Sequence, residues 1–289
     1  MAAHSQGAGP SPAALSLKEI LKSENAEAFD DDDEDLDDEF ADLQRIQSAK
    51  RREARDMANK CRIRELLRIP FAPNIRPLGI YDIDSVVALE HAAFHNPEHQ
   101  ASRKKMEYRL SICPQLSMGI FLTVPPDRVE DTSIFATFDT AHLVETGRPD
   151  NAKTVLLAHI VGTASDSDIV TDKAMEVPGN WKGPKRSESD KGHLLDGRTV
   201  CLHSLAVSPK LQGCELGKLI MKSFLQHVKN IGYERVALIC QEYLIGYYER
   251  FGFKNVGKSK VEFAGGGWVD MVFDWATHSA AVTTNTVSS

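Results

Sequence analysis

Residues 199–252 constrain the fold most, because strand-like and helix-like patterns alternate there without a break. The stretches TVCLHSLAV (199–207) and RVALIC (235–240) are short and apolar, as buried strands are. Between them, apolar residues recur at helical spacing, at Leu216, Leu219, Ile220, Phe224, Val228 and Ile231. A strand–helix–strand connection of this kind joins parallel strands by a right-handed crossover. The segment therefore predicts a βαβ unit.

Further strands and helices surround this unit in the sequence. Strand patterns cover 74–78, 117–124 and 154–165, and two closing strands lie in FKNVGKS and GGGWVDMVFDW. Helical patterns cover 85–94 and 102–112. Because strands and helices are interleaved, the predicted fold class is α/β, with a mixed sheet flanked by helices. Two long connections, near 125–153 and 176–198, lack periodicity and are predicted to be insertions.

Charge divides the chain into regions. The whole chain carries a net charge of -7, yet nine of the ten residues from Asp30 to Glu39 are acidic. Such a density repels itself and cannot bury a core, which predicts a disordered acidic tail over 1–40. Residues 41–70 are rich in Lys and Arg and predict a basic, charged helix or linker. The folded domain is predicted at 71–276 and a loose tail at 277–289, so removing 1–70 is expected to change folding and turnover little.

Composition excludes several classes of protein. No apolar run approaches the roughly 20 residues that cross a bilayer, and the first residues lack the layout of a signal peptide. The five cysteines contain no CxxC pair, so neither a disulfide framework nor a metal site is expected. We expect a cytoplasmic monomer without membrane or nucleic-acid partners. The motif KRREAR leaves a nuclear location open, and the charged N-terminal segments leave a protein partner open.

The turn SPKLQGCELG, residues 208–217, leads from the first strand into the helix. Free backbone N–H groups and the positive end of the helix dipole meet at such a helix start, which suits a diphosphate. An ordinary tight turn before a helix would have the same sequence. Taken alone, the turn leaves both interpretations open.

Two motifs in order favour the first interpretation. VSPKLQGCELG after one strand and YYERFGF after the next resemble the GNAT superfamily of acetyl-CoA-dependent N-acetyltransferases. LHSLAV, ALIC, LEHAAF and ICPQLSMGIF are similar to the arylalkylamine (serotonin) N-acetyltransferase family in particular. The pairing of LHS with GGGWVDM looks most like the fungal branch of that family, which includes a polyamine acetyltransferase. The resemblance covers roughly residues 76–275.

The resemblance implies a mostly antiparallel sheet with one splayed pair of parallel strands, and acetyl-CoA as co-substrate without a metal. It implies direct attack of an amine on the thioester, with His203 as general base and Tyr248 as general acid. A half-buried strand histidine and a core aromatic are the structural alternatives for these two residues. Backbone groups of Leu205, Ala206 and Val207 would bond the pantetheine arm. The pyrophosphate would lie on Gln212, Gly213, Cys214, Glu215, Leu216, Gly217 and Lys218.

Two positions depart from the family pattern. Cys201 stands where the animal enzymes have a second histidine, and a neutral thiol is a poor base. Glu215 stands where the turn normally has a glycine, so its carboxylate is expected to point to solvent, away from phosphates. A strand period of two would place Cys201, His203 and Leu205 on one face, with Leu202 and Ser204 on the other.

The resemblance places the amine pocket at the end of the first helix and the loop that follows. Phe94 and Pro97, together with Cys201, are predicted to contact the substrate, which is an arylalkylamine or a polyamine. Glu98, Asp166 and Asp168 are candidates for holding a second ammonium. Two other functions remain open: a protein lysine or N-terminal acetyltransferase, and a non-catalytic acyl-CoA-binding or interaction protein.

Overall fold

The computed structural model describes residues 33–67, 71–144, 151–183 and 190–277. The chain divides into two compact units, Met1–Met57 and Ala58–Ser289. In the first unit the described residues belong to helix α1 (Asp33–Leu67), and the side chains from 42 to 57 are exposed. Among the described residues no helix combines the length and apolar character needed to cross a membrane.

Helix α1 extends across the boundary expected at residue 40 and ends close to the one expected at residue 70. It starts at Asp33, inside the stretch assigned to a disordered tail. At its other end Ile63 is 4% exposed and Leu67 is fully buried in the main core, because both are apolar and one turn apart. The folded unit thus begins before residue 71; residues 1–32 lie outside the described part.

The second unit contains one mixed sheet with helices against it. The remaining helices among the described residues are α2 (Ile83–Ala93), α3 (Arg103–Ile112), α4 (Asp172–Met175), α5 (Leu216–Asn230) and α6 (Ile245–Glu249). The strands are β1 (Asn74–Pro77), β2 (Ser117–Val124), β3 (His142–Leu143), β4 (Lys153–Ser165), β5 (Thr199–Val207), β6 (Arg235–Cys240), β7 (Lys254–Lys258) and β8 (Val269–Asp274).

The strand order is β1-β2-β4-β5-β6-β8-β7, with β3 paired to β4 at the side. All these neighbours are antiparallel except β5 and β6, which α5 connects as a parallel pair. The predicted α/β class, the mixed and mostly antiparallel sheet and the single parallel pair are therefore confirmed. Apolar residues of α5 form one core with β2, β4 and β5. Those of α2 and α3 form a second core cluster on β2, β4 and β5.

A β-bulge at His203 changes the faces predicted for β5. Leu202 pairs with Gly162 and Ser204 with Val161, so His203 is an extra residue without a partner on β4. Side chains beyond a bulge no longer follow the simple alternation. Leu205 accordingly packs with Leu202 on the α5 core, while Ser204 bonds to Glu90 of α2. The predicted grouping of Leu205 with Cys201 and His203, and of Ser204 with Leu202, was wrong for this reason.

The connection 166–198 leaves β4 and returns to β5 at one point of the sheet, where Ser165 pairs with Thr199. The backbone N–H of Leu194 donates to the carbonyl of Ala164 at 2.9 Å. His193 Nδ1 accepts from the N–H of Ala164 at 3.0 Å, and the N–H of His193 donates to Tyr108 Oη at 2.8 Å. The described part of this insertion is thereby fixed to the sheet and to α3.

Candidate active site

Strands β5 and β6 separate where the bulge begins. Their parallel pairing runs from Thr199–Arg235 to Leu202–Leu238 and ends there. From Ser204 to Val207, β5 keeps β4 as its partner, whereas the side towards β6 has no strand partner among the described residues. The result is a fork in which the stretch of β5 that contains Leu205, Ala206 and Val207 has a strand partner on one side only. An extended amide-containing chain can bond to such an edge.

The turn after β5 has the conformation of an anion-binding loop. Gly213 and Glu215 both adopt positive φ angles, 77° and 66°, and α5 begins at the next residue. Positive φ is normal for glycine and uncommon for glutamate, which explains why a glycine is typical at the position of Glu215. Gly217 is equally constrained, because a Cβ there would lie 2.9 Å from Tyr247 Oη. The close approach of Tyr247 therefore leaves no room for a side chain at position 217.

The Glu215 carboxylate is paired rather than free. Its Oε2 lies 2.5 Å from Lys218 Nζ, one turn along α5, and both side chains are about one-third exposed. The pair leaves little net charge at the turn, because Lys218 holds the partly exposed Glu215 carboxylate. Gln212 donates weakly to the carbonyl of Val207, at 3.4 Å. Cys214 and Leu216 are buried, and only their backbone groups face the loop.

His203 lies at the base of the fork. Its Nε2 is 2.7 Å from Thr163 Oγ1, and its Nδ1 has no hydrogen-bond partner among the described residues. Burial lowers the pKa of His203 well below its usual value, and the positive charges of Arg109 and Lys105 lower it further. The imidazole is therefore neutral at pH 7 and has one ring nitrogen without a partner, as a general base requires.

Tyr248 lies on α6, directly after β6, and is 7% exposed. Tyr247 and Phe253 pack edge-on against its ring, with centroids at 5.1 and 5.8 Å. Burial raises the pKa of Tyr248 far above its usual range, so the phenol keeps its proton at neutral and alkaline pH. Its hydroxyl makes no hydrogen bond to any residue that the structure describes.

Cys201 is fully buried, in a core cluster with Ala237 and Trp268. Burial raises the pKa of its thiol to about 12. A thiol with that pKa is neutral at pH 7 and removes no protons. Cys201 is therefore no candidate for a general base, and both the base role of His203 and a substrate contact for Cys201 stay predictions.

Two groups near His203 were not predicted from the sequence. The first consists of Lys105 and Arg109, which lie one turn apart on α3. The second is a buried network in which Glu90 Oε2 accepts from Ser204 Oγ at 2.6 Å and lies 3.1 Å from His159 Nε2. Only contact across three elements reveals these groups, although a glutamate and a histidine within apolar patterns, in VALEHAAF and LLAHIVG, are unusual enough to prompt a search.

The predicted substrate residues lie in different surroundings. Phe94 is half-buried against the core cluster that contains Ala206, whereas Pro97 and Glu98 are exposed in the following loop. Asp168 is ion-paired with Arg235. Asp166 lines a cavity of about 640 Å³ between α3 and the insertion, together with Tyr108, Trp181 and His193. The Asp168 carboxylate is therefore already paired with a cation and is not a free anion for a second ammonium of the substrate.

The described residues contain no group of three or more His, Cys, Asp or Glu side chains that could hold a metal ion. The candidate site consists of a strand fork, the turn at the start of α5, a neutral histidine and a protonated tyrosine.

Comparison with known proteins finds a family match over part of the chain. Residues 192–274 match the sequence profile of the acetyltransferase (GNAT) domain. This match covers the fork, the turn, α5 and α6, and confirms the GNAT prediction for that part of the chain.

The individual proteins that the chain resembles share low sequence identity with it. The chain is 26% identical over 193 residues to a serotonin N-acetyltransferase of Mesocricetus auratus, covering 66% of this chain and 72% of that protein. It is 24% identical over 154 residues to the serotonin N-acetyltransferase of Macaca mulatta, about half of each protein. Among solved structures, the loading GNATL domain of CurA from Lyngbya majuscula is similar, with 18% identity, a TM-score of 0.47 and coverage of 71% of this chain and 98% of that chain.

Proposed function

We propose that this chain transfers the acetyl group of acetyl-CoA to the primary amine of a small molecule. The observation that carries this proposal is the fork: β5 leaves β6 at the residue next to His203, and an anion-binding turn follows at the end of the same strand. The distant likeness to serotonin N-acetyltransferases supports an arylalkylamine as the acceptor. The resemblance to the fungal branch adds a polyamine as the alternative acceptor.

The residues present fit acetyl-CoA, which would supply an activated thioester carbonyl. The unpaired edge of β5 offers backbone donors and acceptors to the amide groups of a pantetheine arm. Gly213 and Gly217 place no side chain of their own between the turn backbone and a diphosphate, and the start of the fifteen-residue α5 offers free N–H groups. Lys218 adds a positive charge there, although Glu215 shares it.

His203 and Tyr248 would handle the two protons of the reaction. When Thr163 accepts the Nε2 proton, Nδ1 of His203 presents a lone pair that takes a proton from the acceptor ammonium, directly or through water. The amine nitrogen then forms a bond to the acetyl carbon, and the carbon–sulfur bond breaks. Tyr248 would give its proton to the departing sulfur, and the attacking nitrogen would lose its second proton to the resulting tyrosinate, directly or through water. The products are an acetamide and a free thiol, and no acyl-enzyme is needed.

The proposal is tested by measuring thiol release from acetyl-CoA with tryptamine, spermidine or a lysine peptide as acceptor. We expect release with a small amine and little with the peptide. Tyr248→Phe should lower kcat by about 10²-fold or more, the usual contribution of a general acid, without weakening acetyl-CoA binding. Tyr243→Phe is the matched control, because Tyr243 is 82% exposed. Binding of acetyl-CoA without thiol release for any acceptor would contradict the proposal.

A further inference from the structure

Arg109 is a buried cation without a partner. Its side chain is 3% exposed, yet among the described residues it makes no hydrogen bond and no ion pair within 4 Å. Burial lowers the pKa of its guanidinium only to about 10, so it remains charged at pH 7. An isolated charge inside a protein is expensive unless it is paired and hydrogen-bonded. Five unused donors in a fixed fork therefore point to a ligand.

Arg109 faces the site of His203. One turn later on α3, Cys113 Sγ donates to the carbonyl of Gly162 on β4, at 3.5 Å. The next residue on β4, Thr163, holds His203. Lys105 lies one turn earlier on the same helix face, half-buried, with its ammonium 4.7 Å from the ring centre of Phe263. The positive charges of Arg109 and Lys105 both act on His203.

The carboxylates that act on Arg109 and Lys105 are already engaged. Both oxygens of Glu90 are in use: Oε1 accepts from the N–H of Ala101, and Oε2 bonds with Ser204 and His159. Glu90 offsets the charge of Arg109 at longer range, but it does not accept a hydrogen bond from the Arg109 guanidinium. Glu176, which acts on Lys105, is paired with Lys191. With His203 neutral, this region holds an excess of positive charge.

We propose that the acceptor carries a carboxylate besides its amine, and that Arg109 binds this carboxylate with Lys105 assisting. The inference rests on the proposed function and narrows its substrate to amines of the amino-acid type. A guanidinium binds a carboxylate through two parallel hydrogen bonds, a geometry that Arg provides and Lys does not. A polyamine would instead bring a second ammonium against two cations, so this class of acceptor is disfavoured.

Matched acceptors test the inference, because they differ only in the carboxylate. The pairs are tryptophan against tryptamine and ornithine against putrescine. A charge-assisted hydrogen bond contributes about 1.5–3 kcal/mol, so we expect kcat/KM to favour the carboxylate-bearing member by about 10-fold or more. Arg109→Met should reduce this ratio to near one, and Arg109→Lys should restore it only in part. Lys105→Gln, which changes a half-exposed side chain, should reduce the ratio to a smaller extent.

A binding measurement keeps the inference independent of turnover. Calorimetric titration of the CoA-bound full chain with tryptophan and with tryptamine should show the same preference and the same loss in Arg109→Met, whose melting temperature and CoA affinity report its folding. If Arg109→Met does not fold, the Lys105→Gln and Arg109→Lys ratios decide. Equal or better binding of tryptamine by the unmodified chain would overturn the inference. Preferential binding of tryptophan without thiol release would instead contradict the acetyl-transfer proposal alone.

Discussion

At the scale of single residues, the cations around His203 set the pH range in which it is a base. Burial, Arg109 and Lys105 hold the pKa of His203 below its usual value, so activity should fall only when the pH drops below that lowered pKa. Removing one cation stabilises the imidazolium. Lys105→Gln should therefore move the acidic limb of the kcat profile to higher pH, measured between pH 5 and 9. An unmoved limb would mean that His203 is not the group that titrates.

Glu215 has two effects that substitutions can separate: the charge of its carboxylate and the strain of its left-handed backbone. Its left-handed backbone costs about 1 kcal/mol in a residue other than glycine, while its exposed pair with Lys218 contributes less. Glu215→Gly should raise the melting temperature and tighten CoA binding by about fivefold, because a carboxylate near a phosphate costs about 1 kcal/mol in water. Glu215→Gln is the control: it removes the charge and keeps the strain. Weaker CoA binding in Glu215→Gly would show that the carboxylate contributes to the site.

At the scale of elements, the bulge at His203 forms the site without being needed for the sheet. Residues 202 and 204 pair with consecutive residues of β4, so deleting His203 would join two regular stretches and leave every other side chain on its present face. The deletion variant should fold, with a cooperative thermal transition and a native-like circular dichroism spectrum, and should release no thiol from acetyl-CoA. A variant that fails to fold would show that the extra residue fixes the strand register.

The element scale also shows what the sequence reveals and what it hides. Periodicity and turn chemistry locate the strands, α5 and the turn before it, because these patterns depend on neighbours in the chain. One extra residue in a strand leaves no such pattern, so the bulge and the changed faces of Ser204 and Leu205 were not foreseen. The burial of Arg109 was not predicted for a related reason. Which face of a charged helix is buried depends on its packing against β4, not on the sequence of α3 alone.

At the scale of the whole molecule, the described structure places the start of the folded unit within α1. Burial of an aliphatic side chain contributes about 1.5–3 kcal/mol, and Ile63 and Leu67 both lie in the main core. Removing residues 1–57 should leave the melting temperature nearly unchanged. Removing residues 1–70 should lower the free energy of unfolding by about 3–6 kcal/mol, in contrast to the expectation from sequence. Chemical denaturation of the two truncated chains measures the difference, and equal stability would contradict the packing of these two residues.

The insertion between β4 and β5 has a consequence for how preference for the acceptor amine can change between related proteins. Its two ends meet at the paired residues Ser165 and Thr199. The length of the insertion can therefore change without changing the pairing of β4 with β5. Doubling the length of such a closed loop costs only about 0.6 kcal/mol in chain entropy. Yet its return segment bonds to Tyr108, the neighbour of Arg109, so its sequence reaches the helix that faces His203. Evolution or design could therefore exchange this loop to change the preferred acceptor, while leaving untouched the machinery that handles the acyl donor.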